Sequence, residues 1–141
     1  MIEVSAVPKE YIDSCWSKVE KYAEKAAKYT YGRYTSDDIY DCIAEHDYQM
    51  WVAFDADQND FKGLVVTNIA IYPKRKLLAM QFCGGRDLEQ WKEPMLKLLK
   101  HFARDTGCDG IESTGRVGWA KIFKNDGYQQ IWMTYELPIG E

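Results

Sequence analysis

Hydrophobic residues recur along this chain first with the period of a strand and then with the period of a helix. Ile2 and Val4 alternate with polar neighbours, which predicts a short first strand. Apolar residues then recur at spacings of three and four, which predicts an amphipathic helix running to about Tyr29. Thr35 or Ser36 can cap a second, shorter helix that follows it.

Three strand-like segments come next, at Tyr48 to Phe54, Phe61 to Tyr72 and Leu77 to Cys83. Polar turns separate neighbouring strands, which favours an antiparallel meander. After a predicted turn at Gly84-Gly85, the helical period returns and continues to Gly107.

The remaining residues predict a short strand at Ile111, a short helix with Trp119 and Phe123, and a last strand from Tyr128 to Leu137. The order of elements is therefore β-α-α-β-β-β-α-β-α-β. This order predicts a mixed sheet with helices on its faces, in one α/β domain over residues 1–141.

Composition narrows the class of protein. The net charge of −4 argues against a nucleic-acid partner, although tyrosines beside Arg33 could stack on bases. The four cysteines have no CxxC spacing, so we expect reduced thiols and no metal site. The sequence has neither a signal peptide nor a membrane-length apolar run, so we expect a cytoplasmic protein that makes no membrane contact.

The segment Met80 to Asp87 carries the strongest chemical signal. An apolar strand ends there in two glycines, an arginine and an aspartate, just before a helix. Such a junction can present backbone N–H groups at the positive end of a helix dipole, which suits a phosphate. The alternative is a tight turn in which Asp87 caps the helix. Gly115 to Gly118 is a weaker candidate of the same kind.

The order of elements resembles that of the GNAT superfamily of N-acetyltransferases over nearly the whole chain. The chain is most similar to the divergent members seen in phage and prophage genomes, which carry comparable short motifs. The motifs here are Cys83-Gly84-Gly85-Arg86, Trp91 and Gly115-Arg116-Val117-Gly118-Trp119. The resemblance implies a GNAT-like mixed, mostly antiparallel central sheet with helices on both faces.

The resemblance also implies acetyl-CoA as co-substrate. In the family a glycine-rich loop holds the pyrophosphate, and Gln81-Phe82-Cys83-Gly84-Gly85-Arg86 matches it except at the last position. Arg86 replaces a small residue there and could donate to a phosphate oxygen directly. Asp87, Trp119 and Phe123 complete the implied set of cofactor-binding residues.

Two positions determine whether the implied chemistry is retained. Phe123 falls where the family carries a tyrosine that acts as general acid, and phenylalanine cannot donate a proton. Tyr128 is the candidate substitute, and Glu112 is the candidate base. Glu45, His46 and Asp47 are further base candidates, and each could equally be a solvated charge.

The segment between the first two helices is the candidate acceptor side. Tyr31, Arg33 and Tyr34 could contact an acceptor, and the alternative is that these aromatic side chains pack on the core. The favoured function is an acyl-CoA-dependent N-acetyltransferase that acts on an amine of a small molecule or a protein. The alternative is a catalytically degenerate GNAT-fold binding protein. The resemblance also allows a homodimer with the last strand at its interface.

Overall fold

A computed structural model describes residues 1–115 and 120–140. Its sheet has five strands, in the order β1-β2-β3-β4-β5. The order of elements up to the fourth helix is the predicted one, with a short 3-10 turn at Lys9–Tyr11 before α1. The elements are β1 Ile2–Val7, α1 Ile12–Ala27, α2 Ser36–Glu45, β2 Gln49–Asp55, β3 Asp60–Ile71, β4 Lys76–Gly85, α3 Leu88–Asp105, β5 Gly110–Ser113 and α4 Ala120–Asn125.

Strand pairing gives the sheet its mixed character. β1 through β4 pair antiparallel with one another in sequence order. β5 pairs parallel with β4, because the chain crosses over through α3 before it returns to the sheet. The fold is therefore the expected α/β class, with a mostly antiparallel central sheet.

The two faces of the sheet carry separate hydrophobic cores. Helices α1 and α2 cover one face, where Val19, Ile39 and Ile43 are completely buried. Helix α3 covers the other face, where Trp91 and Leu99 are almost completely buried. We call these the α1 face and the α3 face. Strand alternation sends successive side chains to opposite faces, so each strand of the meander contributes to both cores.

The glycine pair at the end of β4 is not a turn, contrary to the sequence prediction. Gly84 and Gly85 are the last residues of β4 and pair with Leu64 and Gly63 of β3. A side chain at Gly84 would lie 2.3 Å from the backbone oxygen of Tyr22 in α1. Glycine is therefore required because the helix and the strand approach closely here.

The prediction of a last strand from Tyr128 to Leu137 is wrong for this structure. Residues 128–140 have no strand assignment, and those from 129 onwards are exposed. The alternating pattern is present in the sequence, but a strand needs a neighbour to accept its backbone hydrogen bonds. No described strand of the chain takes that role.

Two further classes of feature are absent from residues 1–115 and 120–140. None of their helices is long and apolar enough to cross a membrane. No group of three or more His, Cys, Asp or Glu side chains among them is placed to hold a metal ion.

Candidate active site where two strands part

Strands β4 and β5 part halfway along β4. Leu77–Met80 pair with Gly110–Ser113, and β5 then ends. β4 continues from Gln81 to Gly85 with β3 as its only described neighbour. We call the space beside this second half of β4 the β4–β5 gap. It lies next to the junction that the sequence singles out.

A β-bulge marks the point where the strands part. Thr67 pairs with Met80 and Val66 pairs with Phe82, so Gln81 is one extra residue in β4. The side-chain amide of Gln81 donates a hydrogen bond from Nε2 to Asn68 Oδ1 at 2.8 Å. The extra residue reverses the alternation, because Met80 packs on the α3 face whereas Phe82 packs on the α1 face. Periodicity in the sequence did not reveal this bulge.

The start of α3 lacks a side-chain cap. Asp87 occupies the N-cap position with left-handed backbone angles, but its carboxylate makes no capping hydrogen bond. The carboxylate instead accepts from Lys62 Nζ at 3.2 Å. Within the described ranges, the first-turn amides of Leu88 and Glu89 have no acceptor. The helix therefore presents amides that an anion could bind, whereas the predicted alternative of a capping aspartate is wrong.

Not every amide at the junction is available. The Arg86 backbone N–H donates to the Lys62 carbonyl at 2.8 Å, which continues the pairing of β4 with β3. Trp91 Nε1 donates to the Arg86 carbonyl at 2.9 Å, which fixes the turn against α3. The anion-binding capacity of the junction therefore resides in the helix start and not in the end of the strand.

Two ion pairs lie at the junction. Lys62 is 4% exposed and pairs with Asp87, while the guanidinium of Arg86 pairs with Asp60. The predicted hydrogen bond from Arg86 to a phosphate would compete with Asp60 for the guanidinium. Sequence reasoning missed Lys62, although a lysine next to the apolar run Leu64-Val65-Val66 was the available signal.

Tyr128 lies at the gap on the α3 face. Its hydroxyl accepts a hydrogen bond from Ser113 Oγ at 3.1 Å, at the last residue of β5. Burial raises the pKa of Tyr128, and the neighbouring Asp126 and Cys83 raise it further against the lowering effect of Ser113. The phenol therefore stays protonated near neutral pH and can act as a proton donor.

Cys83 is not a nucleophile in this structure. Desolvation by burial raises the pKa of its thiol to about 12, and the side chain packs with the core of the α3 face. A thiol with that pKa carries almost no thiolate at neutral pH. The described residues therefore leave the Tyr128 hydroxyl, and not the Cys83 thiol, as the candidate proton donor at this end of the gap.

The side chain of Glu112 lies on the opposite face of the sheet from Tyr128. Ile111 packs on the α3 face, so alternation along β5 turns Glu112 to the α1 face. Its carboxylate accepts from the Tyr72 hydroxyl at 2.7 Å, and this hydrogen bond raises the pKa of Tyr72. The two predicted catalytic residues thus lie one on each side of the sheet, close to where β5 ends.

The predicted acceptor-side residues divide into three environments. The ring of Tyr34 packs edge-on against Phe82, with their centroids 4.9 Å apart, so it borders the second half of β4. Arg33 pairs with Glu136 at 2.8 Å, which joins the loop between α1 and α2 to the C-terminal segment. Tyr31 is 74% exposed. Only Tyr34 is therefore brought against the predicted cofactor-binding residues.

Some predicted site residues fall outside the described structure. Arg116 and Trp119 lie among residues 116–119, which are not described. Phe123 lies in α4, and its side chain is not described. Their predicted roles stay predictions. Helix α4 itself is placed beside α3 by the ion pair of Asp126 with Lys92 at 3.0 Å.

No protein-family model matches the chain, and no curated protein matches it in sequence. Its fold does match solved acetyltransferases. A ribosomal-protein-alanine N-acetyltransferase from Brucella melitensis biovar Abortus 2308 matches with a TM-score of 0.72 and 11% identity, covering 99% of this chain and 100% of that chain. A Trypanosoma brucei acetyltransferase matches with a TM-score of 0.69 and 10% identity, over 99% and 100% of the two chains.

An aminoglycoside N-acetyltransferase in complex with CoA also matches, with a TM-score of 0.70 and 10% identity over 98% of this chain and 94% of that chain. These structural neighbours are GNAT-type acetyltransferases, so the predicted fold is confirmed. At such identities the similarity establishes the fold, and an activity has to be argued from the chain's own residues.

Proposed function

We propose that this protein is an acetyl-CoA-dependent N-acetyltransferase that acts on an amine of a small molecule or a protein. The observation that carries the proposal is the uncapped start of α3 beside Gln81–Gly85, the half of β4 that pairs with β3 but not with β5. A helix that lacks a side-chain cap and opens at a parting of two strands offers amides for a phosphate and a channel for an extended ligand.

The residues at the gap fit acetyl-CoA. The amides of Leu88 and Glu89 and the guanidinium of Arg86 would hold its phosphates, while Lys62 stays buried against Asp87. The edge of β4 from Gln81 to Gly85 would run beside its pantetheine arm, and acetyl-CoA would supply an acetyl group activated as a thioester.

Two side chains at the gap would accept and donate the protons that acetyl transfer requires. Glu112 would accept the proton that an amine must lose before it attacks, and Tyr72 holds that carboxylate in place. Tyr128 would donate a proton to the departing sulfur, in the role that Phe123 cannot fill, and Ser113 orients its hydroxyl. After each turnover, solvent takes the proton that Glu112 has accepted and returns a proton to the Tyr128 phenolate, so that both groups are reset.

Binding and turnover test the proposal separately. Acetyl-CoA at a hundred times its Kd would stabilise the folded chain by about 2.7 kcal/mol, which a thermal-unfolding measurement detects. Turnover would be followed as acetylated product by mass spectrometry over a panel of small-molecule amines and peptides. Absence of any thermal shift at millimolar acetyl-CoA would refute both binding and catalysis.

A second function is a GNAT-fold binding protein without catalysis. The ion pairs of Arg86 with Asp60 and of Lys62 with Asp87 favour it, since both cations are already neutralised. This function predicts a stoichiometric partner and no acetylated product, so measured turnover would dismiss it. The cytoplasmic location and the resemblance to phage-type members stay predictions.

A further inference from the structure

Lys62 is the most deeply buried charged residue that the structure describes, with 4% of its surface exposed. A β-bulge makes it an extra residue of β3, because Phe61 and Gly63 pair with consecutive residues of β2. Such a bulge can aim a side chain away from the regular alternation of a strand. The Lys62 ammonium pairs with the Asp87 carboxylate at 3.2 Å, which offsets the cost of burying its charge.

Lys62 holds the turn between β4 and α3 at two points. Its carbonyl accepts from the backbone N–H of Arg86 at 2.8 Å, and its ammonium holds the carboxylate of the next residue, Asp87. Asp87 has left-handed backbone angles, with φ +55° and ψ +41°, whereas an N-cap residue that accepts from its own helix is normally extended. The pairing with Lys62 therefore accompanies a backbone conformation that does not suit capping.

Without Lys62, Asp87 would compete with a ligand for the start of α3. An aspartate at the N-cap position commonly accepts a hydrogen bond from the amide of the second or third helical residue. The second helical residue is Glu89, whose amide the proposed function assigns to a phosphate. A capping carboxylate would occupy that amide and would also repel the phosphate by its charge. Loss of the ion pair would therefore change both the amide and the electrostatic potential at the helix start.

We propose that Lys62 is a positioning residue for the phosphates of acetyl-CoA. It touches no ligand itself, and it acts by holding the Asp87 carboxylate away from the helix start and by neutralising its charge. The amides of Leu88 and Glu89 thereby stay free for a phosphate oxygen. This role rests on the proposed function, because it presupposes that the ligand binds at the start of α3.

Calorimetric titration of charge variants with acetyl-CoA tests this role. Lys62→Met keeps the approximate length of the buried side chain and removes its charge, so the Kd should rise about ten-fold. Lys62→Met/Asp87→Ala also removes the competing carboxylate and should restore the Kd of the wild type. Lys100→Met makes the same charge change at an exposed position farther along α3 and should leave the Kd unchanged. If the second substitution did not restore binding, Lys62 would be merely structural and the proposal would be overturned.

Hydrogen exchange of the Glu89 amide tests the same role without any ligand. In Lys62→Met, capping by Asp87 should slow this exchange about five-fold relative to the wild type, and Lys62→Met/Asp87→Ala should reverse the change. NMR measures the exchange residue by residue, and Lys62→Gln takes the place of the methionine variant if that variant does not fold. A wild type that fails to bind acetyl-CoA would refute the proposed function. Equal exchange of Glu89 and equal Kd values in all variants would refute the role of Lys62 alone.

Discussion

The two halves of β4 have different surroundings and different consequences for the protein. Leu77–Met80 lie between β3 and β5 and contribute to the core, with Leu78 completely buried. Gln81–Gly85 have β3 on one side and the β4–β5 gap on the other. One half of the strand is thus enclosed within the sheet and the other half borders the gap, and the single extra residue at Gln81 lies between them.

The largest expected effect concerns Cys83, a half-buried thiol that packs on the α3 face beside the second half of β4. With a pKa of about 12, Cys83 has about 10⁻⁴ of its thiol ionised at pH 8, against roughly a quarter for a free thiol. Alkylation of Cys83 should therefore be about 10³-fold slower in the folded protein than in urea. Because the pKa is raised, the alkylation rate of the folded protein should still be climbing with pH above 9, where the rate for an ordinary thiol levels off. Peptide mapping after timed alkylation measures this, and equal rates in both states would mean that the gap admits water to Cys83.

The next effect concerns proton donation at the gap. Tyr128→Phe should lower kcat on the order of 10²-fold while KM for acetyl-CoA changes little, because it removes the donor and keeps the ring. Tyr11→Phe removes an exposed hydroxyl elsewhere and serves as the matched control. An unchanged kcat in Tyr128→Phe would assign the acid role to another group.

A substitution in Leu77–Met80, the half of β4 that pairs with β5, should reduce stability and leave the residues of the candidate site in place. Leu78→Ala removes a completely buried side chain and should lower the free energy of unfolding by about 2–5 kcal/mol. Ile71→Ala, at an exposed position near the end of β3, should change it by less than about 0.5 kcal/mol. Urea denaturation measures the free energy of unfolding of both variants. Similar losses would show that Leu78 contributes no more to stability than an exposed residue does.

Gly84→Ala tests the close approach of β4 to α1. The added carbon would lie 2.3 Å from the Tyr22 backbone oxygen, which cannot yield without moving the helix. We expect a loss of about 1–3 kcal/mol in the free energy of unfolding. Gly140→Ala adds a carbon in open space and should leave the free energy of unfolding unchanged. If Gly84→Ala were equally neutral, the contact between α1 and β4 would be looser than described.

The smallest effect concerns the ion pair at the turn. Asp60→Asn releases Arg86 and removes a negative charge, so the Kd for acetyl-CoA should tighten by up to about five-fold. Asp105→Asn makes the same charge change at the far end of α3 and should leave the Kd unchanged. Calorimetric titration compares them. Weaker binding by Asp60→Asn would show that Arg86 does not reach the ligand.

Sequence reasoning recovered the order of elements up to the fourth helix, because periodicity is a local signal, whereas the turn predicted at Gly84-Gly85 is the end of β4. The bulge at Gln81 was missed, since one irregular residue does not alter the apolar pattern of a strand. The ion pair of Lys62 with Asp87 joins residues 25 positions apart, so only tertiary structure reveals it. The strand predicted from Tyr128 to Leu137 failed because strand formation needs a neighbour that the pattern cannot supply.

The bulge also has a consequence for how sequences of this type are compared. Removing Gln81 would restore strict alternation from Met80 on the α3 face to Phe82 on the α1 face and Cys83 on the α3 face, so these residues would keep the faces they occupy now. A single-codon deletion there would therefore remove the bulge and the hydrogen bond from Gln81 to Asn68, while the retained residues keep their sides of the sheet. Alignments that place a gap at this position therefore still compare residues that occupy the same side of the sheet.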